Sequence, residues 1–338
     1  MRETAMRAIF LTNNKQTLPR VFTEATRAEL STLIELDEKV YTDADLAAMA
    51  SAFDDVEIVF STWGIPELNE EQIRAYLPRL KCIFYGAGSV QRFARPYLAC
   101  GVRVFSAWAA NAVPVAELTA AQIVLANKGY FVTSRAYASK GRSAARDAFG
   151  NCNGNLGETV GIIGAGMIGR KVIEILRQYR LDVAVFDPFL PDETAVELGV
   201  TKCSLEELFE RSMTVSNHLA NNPETRNMIT YDHFRRMRKC ATFINTGRGA
   251  QVVQDDLLRI LTERPDLTAL LDVTTPEPLP EGHALLSMPN CIVTPHIAGS
   301  AGNELARMGE YMLDEFRLYV DGKPTRYEVT EKMLETMA

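Results

Sequence analysis

Several features on which other protein classes depend are missing from this sequence. The six cysteines are scattered and form no Cys-x-x-Cys pair, so we expect reduced thiols and no disulfide framework or metal site. Acidic residues outnumber basic ones and give a net charge of −7, which disfavours a nucleic-acid or anionic-membrane partner. No uninterrupted apolar run approaches about eighteen residues, and no apolar stretch of signal-peptide type follows Met1. These absences predict a cytoplasmic protein with no membrane partner.

The composition that is present fits a folded α/β protein. Hydrophobic residues make up 47% and charged residues 23% of the chain, and 338 residues exceed one ordinary core, so two domains are expected. In the first half, short apolar runs predict strands over 7–12, 56–62, 81–86 and 102–106, and helical periodicity predicts helices that include 21–36 and 69–76. This alternation favours parallel α/β architecture.

The middle of the chain reads as a helix followed by a polar segment. Helical periodicity runs from Pro114 to about Tyr137, and proline suits the first turn of a helix. The segment Ser139–Gly157 is rich in Gly, Ser, Asn and Arg. It is either a surface linker or an arm between two domains.

A second α/β series begins near Glu158. Strands are predicted over 159–163, 182–187, 213–219, 241–246, 268–273 and 291–294, and helices over 167–179, 204–211, 231–237 and 255–263. Six strands with mostly helical crossovers make a doubly wound dinucleotide-binding sheet. A last amphipathic helix, about 303–320, has no predicted strand after it. Such a helix could return to the first domain and make that domain discontinuous.

A glycine-rich turn stands at the start of this second series. Gly164, Gly166 and Gly169 give the pattern G-x-G-x-x-G directly after a predicted strand and at the start of a helix. The first glycine permits a tight turn, the second lets pyrophosphate approach the backbone, and the third lets the helix pack against the sheet. Free N–H groups near Met167 and Ile168 would receive the phosphates.

The cofactor type is indicated by the end of the next predicted strand. Asp187 follows Gly166 by 21 residues, where a carboxylate can hold the adenosine ribose hydroxyls. No Arg or Lys occurs in 188–191, so a 2′-phosphate would meet negative charge without compensation. NAD is therefore expected in preference to NADP.

Three chemically active side chains follow later strands of the same predicted sheet. Arg248 lies in Asn-Thr-Gly-Arg-Gly, Glu277 in Asp-Val-Thr-Thr-Pro-Glu-Pro, and His296 in Thr-Pro-His-Ile-Ala-Gly. A guanidinium can grip a carboxylate and polarise a ketone. An imidazole can donate a proton to the ketone oxygen, and a neighbouring carboxylate would orient that imidazole. Taken singly, each residue could be an ordinary surface or core side chain; behind a dinucleotide motif they indicate reduction of a 2-oxo acid.

Together these segments resemble the D-isomer-specific 2-hydroxyacid dehydrogenase family, and the resemblance covers nearly the whole chain. It implies that Arg248, Glu277 and His296 are catalytic and that NAD is the cofactor. Further cofactor contacts that the resemblance implies are Asn217-His218-Leu219-Ala220, Thr225, Thr246 and Asp272. The substrate carboxylate would meet Arg248 and the backbone of the turn that contains Ala87, Gly88 and Ser89, with Asn111 on the substrate side.

The same resemblance implies the architecture. We expect a Rossmann NAD-binding domain over 113–302 and a flavodoxin-like substrate domain formed by 1–112 with 303–338. The active site would lie in the cleft between them, and the helix from Pro114 with the arm Ser139–Gly157 would pair two subunits into a homodimer. The expected reaction moves a hydride between NAD(H) and C2 of a small 2-hydroxy or 2-oxo acid, of glyoxylate or hydroxypyruvate type.

Some positions depart from the family pattern. Val253 stands where an Asp is usual, Val90 stands where many members have Asp, and the turn 60–64 lacks an Arg that many relatives carry. Trp63 and Trp108 fall beside the expected substrate site, where they either line the pocket or pack the domain. The sequence therefore leaves open which acid is used, in which direction, and with what stereochemical strictness.

Two alternatives stay open at this level. A formate-dehydrogenase-like enzyme would share the fold and the Asn111 position, but such enzymes pair Gln with the histidine, and Glu277 speaks against that. A non-catalytic NAD-sensing partner protein of the corepressor type would keep the same three residues. The acidic composition and the lack of a long disordered tail speak against the second alternative.

Overall fold

The computed structural model describes residues 6–335 and folds them into two compact units. The first unit takes the described residues up to Asn111 and those from Ser300 onward, and the second takes Ala112–Gly299. The sequence-based division put these boundaries after residues 112 and 302.

The described chain alternates strands and helices. The strands are β1 (Arg7–Leu11), β2 (Glu35–Tyr41), β3 (Val56–Ser61), β4 (Cys82–Tyr85), β5 (Arg103–Ser106), β6 (Leu156–Ile163), β7 (Arg180–Phe186), β8 (Thr201–Lys202), β9 (Thr214–Asn217), β10 (Thr242–Asn245), β11 (Thr268–Leu271), β12 (Cys291–Val293) and β13 (Glu328–Val329). The helices are α1 (Leu18–Val21), α2 (Glu24–Leu33), α3 (Asp43–Ala48), α4 (Glu70–Tyr76), α5 (Ala94–Ala99), α6 (Trp108–Asn127), α7 (Tyr130–Phe149), α8 (Met167–Leu176), α9 (Asp192–Leu198), α10 (Leu205–Arg211), α11 (Tyr231–Phe234), α12 (Gln254–Glu263) and α13 (Leu305–Val320).

The first unit is built on a six-stranded sheet in the order β13-β5-β4-β3-β1-β2. Its pairs are parallel except β13 with β5. The order 2-1-3-4-5 of the parallel strands is the flavodoxin-like arrangement, which confirms that part of the fold prediction. Apolar clusters cover both faces of this sheet.

Helix α13 packs on one face of the first unit's sheet. Met308, Met312 and Phe316 are fully buried, and the Phe316 ring meets the rings of Phe60 and Phe84 edge-on. A Cβ on Gly309 would come within 2.0 Å of the Val21 carbonyl oxygen. Only glycine therefore allows α13 to lie this close to α1.

The prediction that no strand follows this last helix is wrong. β13 pairs with β5 in antiparallel register, and Arg103 Nε and Nη2 hold the Glu328 carboxylate at 2.8 and 2.6 Å. Two residues are too short a strand to leave a periodic pattern, so this pairing becomes visible only in the folded structure.

The second unit is a seven-stranded parallel sheet in the order β12-β11-β10-β9-β6-β7-β8. All six strands predicted for this half are present, and β8 adds a two-residue edge. The order reverses at β6, whose neighbours are β7 on one side and β9 on the other. This is the switch point at which doubly wound sheets bind ligands, so the Rossmann prediction is confirmed.

Two helix predictions and the interpretation of one polar segment need correction. The helix predicted over 21–36 spans Glu24–Leu33, because Ile34 is extended and the polar edge strand β2 begins at Glu35. The helix predicted from Pro114 to about Tyr137 begins at Trp108, accepts Pro114 in its interior and ends at Asn127, and α7 begins at Tyr130. The polar segment 139–157 is helical as far as Phe149, since α7 continues through it with a break at Gly141, where φ is +80°.

Helix α6 is the one helix among the described residues that is long and apolar enough to resemble a membrane span. More than half of that stretch is buried inside the protein. A single helix of this kind is weak evidence, because buried core helices have the same composition.

Candidate functional site

The glycine-rich turn joins β6 to α8 at the switch point of the second unit. Gly164 has φ +88°, and a Cβ there would come within 3.0 Å of the His218 carbonyl oxygen. A Cβ on Gly169 would lie 2.1 Å from the Gly164 oxygen. A Cβ on Gly166 would meet nothing within 4 Å. Two of the glycines are therefore required by packing, whereas Gly166 borders open space.

That open space lies at the N-terminus of α8. The helix begins at Met167, and Gly166 supplies no side-chain cap. The N–H groups of Met167 and Ile168 have no acceptor within residues 6–335. Unpaired N–H groups at the positive end of a helix dipole suit a diphosphate, so the residues present fit a dinucleotide.

Asp187 comes directly after β7 and is tied to the glycine-rich turn. Its Oδ2 accepts the Ala165 N–H at 2.8 Å, and its Oδ1 accepts the Phe189 N–H at 2.9 Å. No Lys or Arg of the described chain forms an ion pair with Asp187. The half-buried carboxylate keeps free lone pairs for hydroxyl donors and presents negative charge beside the turn.

The other predicted cofactor residues also lie at the carboxyl ends of this sheet. Thr225 Oγ1 donates to the Ala220 carbonyl oxygen at 2.6 Å and so closes the loop that begins at Leu219. Thr246 follows β10, and its hydroxyl meets that of Thr119 at 3.1 Å. Leu219, Thr225, Thr246 and Asp272 therefore lie in the same unit, at the end of the sheet that carries the glycine-rich turn.

Glu277 and His296 form the proposed acid–base pair. His296 Nδ1 lies 2.6 Å from Glu277 Oε1, and their side chains are 47% and 40% exposed. His296 has φ +55°, a conformation uncommon for residues other than glycine and frequent at functional sites. Within the described chain, Nε2 of His296 has no hydrogen-bond partner. The ring is thus held from one side and free on the other.

Asp272 fixes the loop that carries His296. Its buried carboxylate accepts hydrogen bonds from the Thr294 hydroxyl at 2.6 Å and from the Ile297 and Ala298 N–H groups at 2.8 Å each. The His296 N–H donates to the Asp272 carbonyl oxygen at 3.0 Å. The resemblance implied only a cofactor contact for Asp272, so this structural role was missed from the sequence.

Arg248 follows β10 and is half-buried. Its Nη1 donates to the Gly247 carbonyl oxygen at 2.8 Å. Burial lowers the pKa of the guanidinium from its ordinary value, and the negative charge of Glu277 partly offsets that effect. The group still carries its charge at any physiological pH. Arg248, Glu277 and His296 thus follow three successive strands, β10, β11 and β12.

The predicted carboxylate turn lies in the first unit, after β4. The Ala87 N–H donates to the Tyr85 carbonyl oxygen at 2.8 Å, so it is engaged within the turn. The N–H groups of Gly88 and Ser89 have no acceptor among residues 6–335. The single O–H of Ser106 is shared between the carbonyl oxygens of Ala87 and Gly88, at 2.9 and 2.6 Å. The turn therefore presents two free N–H groups, those of Gly88 and Ser89.

Asn111, Trp63 and Trp108 also belong to the first unit. Asn111 Oδ1 accepts the Ser300 N–H at 2.9 Å, and its Nδ2 lies against Gly88. The Trp108 ring meets the Tyr327 ring edge-on at 5.7 Å. Trp63 is partly buried against both apolar clusters of the unit. Both tryptophans therefore pack within their own unit.

Comparison of the chain with known proteins assigns it to a family. Residues 125–298, more than half of the chain, match the family model described as D-isomer specific 2-hydroxyacid dehydrogenase, NAD binding domain. The chain belongs to the D-isomer specific 2-hydroxyacid dehydrogenase family, and NAD is the cofactor of the matched domain. The resemblance noted in the sequence is thereby confirmed.

Individual relatives support the same family assignment. The chain is 39% identical over 144 residues to the human glyoxylate reductase/hydroxypyruvate reductase, covering 42% of this chain and 44% of that protein. It is 34% identical over 167 residues to a glyoxylate reductase of Korarchaeum cryptofilum, covering 49% and 50%. The alignments thus span about half the length of these relatives. The structure of Rhodotorula graminis D-mandelate dehydrogenase superimposes with a TM-score of 0.78 over 97% of this chain and 98% of that one, at 21% identity, which supports the fold alone.

Proposed function

We propose that this protein is an NAD(H)-dependent oxidoreductase that interconverts small 2-hydroxy and 2-oxo acids. The observation that carries the proposal is the pair His296 Nδ1–Glu277 Oε1 at 2.6 Å, which leaves the opposite ring nitrogen free. Membership of the family and the names of relatives that reduce glyoxylate and hydroxypyruvate support it.

The second unit would hold the cofactor. The free N–H groups of Met167 and Ile168 would bind the diphosphate, and Asp187 would accept hydrogen bonds from the adenosine ribose. The wall of the cofactor site would include Leu219, Thr225, Thr246 and Asp272. When bound, NADH supplies the hydride that reduces C2 of the acid.

His296 would move the proton that balances this hydride. During reduction, Nε2–H of the imidazolium donates a proton to the ketone oxygen and the hydroxyl forms; during oxidation, neutral Nε2 removes that proton. Glu277 holds Nδ1–H and so fixes both the ring orientation and the tautomer.

Arg248 and the first unit's turn would anchor the acid. The guanidinium can accept a carboxylate through two parallel hydrogen bonds and polarise the adjacent ketone. The unpaired N–H groups of Gly88 and Ser89 are suited to a carboxylate oxygen, and Asn111 lies against Gly88. Small acids such as glyoxylate and hydroxypyruvate, named by the relatives, are the substrates that we propose first.

A reductase assay tests the proposal. The purified protein is mixed with NADH and, separately, with glyoxylate, hydroxypyruvate, pyruvate, phenylpyruvate and bicarbonate as a blank, and NADH loss is followed by absorbance. We expect turnover with at least one 2-oxo acid and a loss of about a hundredfold or more in His296→Gln. NADH binding without turnover of any acid would favour a non-catalytic NAD-sensing protein instead.

We further propose a cytoplasmic homodimer. All six cysteines are free, which suits a reducing compartment. Large apolar side chains are exposed on α6 and α7, namely Leu125, Tyr130, Tyr137 and Phe149, which are 40–62% exposed. Exposed apolar side chains concentrated on two helices are typical of a protein–protein interface, and a two-fold pairing would cover them.

A further inference from the structure

Three buried side-chain amides meet beneath the turn that carries Arg248. Asn217 and Gln251 are 0% exposed and Asn245 is 1% exposed. Asn217 Nδ2 donates to Gln251 Oε1 at 2.6 Å and to Asn245 Oδ1 at 3.0 Å. We call these three residues the amide clamp; Gln251 was not singled out from the sequence.

The clamp holds both backbone polar groups of Arg248. The Arg248 N–H donates to Gln251 Oε1 at 3.2 Å, and the Arg248 carbonyl oxygen accepts from Asn245 Nδ2 at 3.1 Å. The preceding Gly247 N–H donates to Asn245 Oδ1 at 3.1 Å. The direction in which the guanidinium leaves the main chain is therefore set by two amides.

The same clamp holds the loop after β9. Gln251 Nε2 donates to the carbonyl oxygens of Leu219 and Ala220 at 2.7 and 2.9 Å. Asn217 Oδ1 accepts the Leu219 N–H at 3.3 Å. One glutamine thus joins the loop proposed to line the cofactor to the turn that presents Arg248.

The network permits a single orientation of each amide. Every oxygen of the clamp faces N–H donors, and every NH₂ group faces oxygen acceptors. Oε1 and Nε2 of Gln251 have two partners each. Exchanging the positions of these two atoms would place the NH₂ group beside N–H donors and the oxygen beside carbonyl oxygens. A buried network in which every amide is hydrogen-bonded through both its oxygen and its nitrogen rigidifies its surroundings.

We propose that Gln251 and Asn217 are positioning residues for Arg248, and that they tie substrate anchoring to the cofactor-lining loop. The kinetic consequence of this inference rests on the proposed function. Its structural part concerns the mobility of the Arg248 turn and can be tested even if the protein turns over no substrate. Removing the amides leaves Arg248 present and charged but no longer fixed in direction.

The test compares Gln251→Leu and Asn217→Leu with a matched control. Asn290 is also a buried amide of the second unit, 2% exposed, and its Nδ2 donates to the Leu261 carbonyl oxygen at 2.9 Å. Asn290→Leu therefore removes a buried amide without touching the clamp. Gln251→Glu is the conservative variant, because a buried neutral carboxyl keeps one acceptor and one donor.

Two readouts are measured on each purified full-length variant with saturating NADH. Steady-state kinetics should show KM for the 2-oxo acid raised about tenfold or more in both clamp variants, with kcat changed about threefold or less. Asn290→Leu should keep the parent KM even if it lowers Tm, and Gln251→Glu should recover most of the parent KM. Hydrogen exchange of the peptide 245–251 should be faster in the clamp variants than in Asn290→Leu.

The outcomes separate the two proposals. A parent KM and parent exchange in folded Gln251→Leu, or an equal KM rise in Asn290→Leu, would overturn the positioning role. If Gln251→Leu does not fold, Asn217→Leu and the shorter Gln251→Asn decide by the same criteria. A parent protein that reduces no 2-oxo acid refutes the proposed function alone, because the exchange comparison is still made.

Discussion

His296 and Glu277 lie 19 positions apart in sequence, yet Nδ1 of one is 2.6 Å from Oε1 of the other. The contact joins the loop after β12 to the loop after β11. Neither residue is buried, since their side chains are 47% and 40% exposed. The conformation of the two loops, and not burial in a core, therefore brings the two side chains together.

The first prediction concerns the charge of Glu277. Glu277→Gln keeps the shape but replaces the carboxylate beside Nδ1 with a neutral amide, so the His296 ring loses a charge-assisted hydrogen bond and its fixed orientation. We expect kcat/KM for reduction to fall about tenfold or more, while KM for NADH stays at the parent value. Steady-state kinetics with the 2-oxo acid that the parent reduces measure both.

A second pair of the same residue types, with a longer contact, controls this experiment. His233 Nε2 lies 3.9 Å from Glu206 Oε1 in the same unit, and Glu206→Gln should leave kcat/KM unchanged. A parent value of kcat/KM in Glu277→Gln would remove Glu277 from the acid–base assignment.

The glycine-rich turn supplies a second prediction. Gly166→Val adds a side chain where nothing lies within 4 Å, whereas Gly169→Ala sets a Cβ 2.1 Å from the Gly164 oxygen. Gly166→Val should keep the parent Tm and weaken NADH binding about tenfold or more, because its side chain occupies the space beside the free N–H groups. Gly169→Ala should lower Tm instead. Calorimetry and NADH titration measure the two effects, and unaltered NADH affinity in Gly166→Val would refute the diphosphate site.

Asp187 should set the choice between NADH and NADPH. A 2′-phosphate would face this carboxylate, so the parent should use NADH more efficiently. Asp187→Asn keeps much of the shape and should raise the kcat/KM ratio of NADPH to NADH about tenfold, which corresponds to about 1.4 kcal/mol. The exposed Asp182 on β7 provides the control variant Asp182→Asn. A parent that prefers NADPH would contradict the role given to Asp187.

Buried His218 should make stability depend on pH. Burial lowers the pKa of this imidazole to about 3 from the model-compound value of 6.5. The unfolded chain therefore binds the proton first, and the free energy of unfolding falls as pH drops below 6.5. His218→Gln lacks this dependence, so the parent's advantage over it should shrink by about 2 kcal/mol between pH 7 and pH 5. Urea unfolding at the two pH values measures this, and parallel curves would show that His218 does not titrate as stated.

The association state is the last prediction. Light scattering should report twice 37.6 kDa. Tyr137 and Phe149 are 62% and 47% exposed on α7, so Tyr137→Asp with Phe149→Asp should give a monomer of unchanged secondary structure. The matched change Val196→Asp, at a 79% exposed position on α9, should leave the dimer intact. A monomeric parent would refute the pairing.

The parts of the fold that follow from sequence are those whose signal is local. Buried parallel strands such as β3 and β10 are short apolar runs, and a run of that kind is visible without tertiary information. Edge strand β2 is polar and has one buried residue, so it shows no apolar run and no strand was predicted there. Segment 142–149 reads as polar, but its alanines and arginines are good helix formers.

Some residues of the candidate site can likewise be identified from the sequence, and others cannot. Gly164, Asp187, Arg248 and His296 follow strands and could be named from their position along the chain. Gln251 could not, because its importance arises from contacts with Asn217 and Arg248 that only the folded sheet brings together. Asp272 was named as a cofactor contact, but its role in holding the backbone of a loop more than twenty residues away could not be read from the sequence.

Asp272 also links the two loops of the proposed acid–base pair. It precedes Glu277 by five residues in the loop after β11, and its side chain and carbonyl oxygen accept hydrogen bonds from the loop of His296. The loops that carry the two residues of the proposed pair are therefore held by one residue. Loss of Asp272 would free the loop of His296 while both residues of the pair remain present. Variants aimed at the proposed pair should consequently keep Asp272 unchanged.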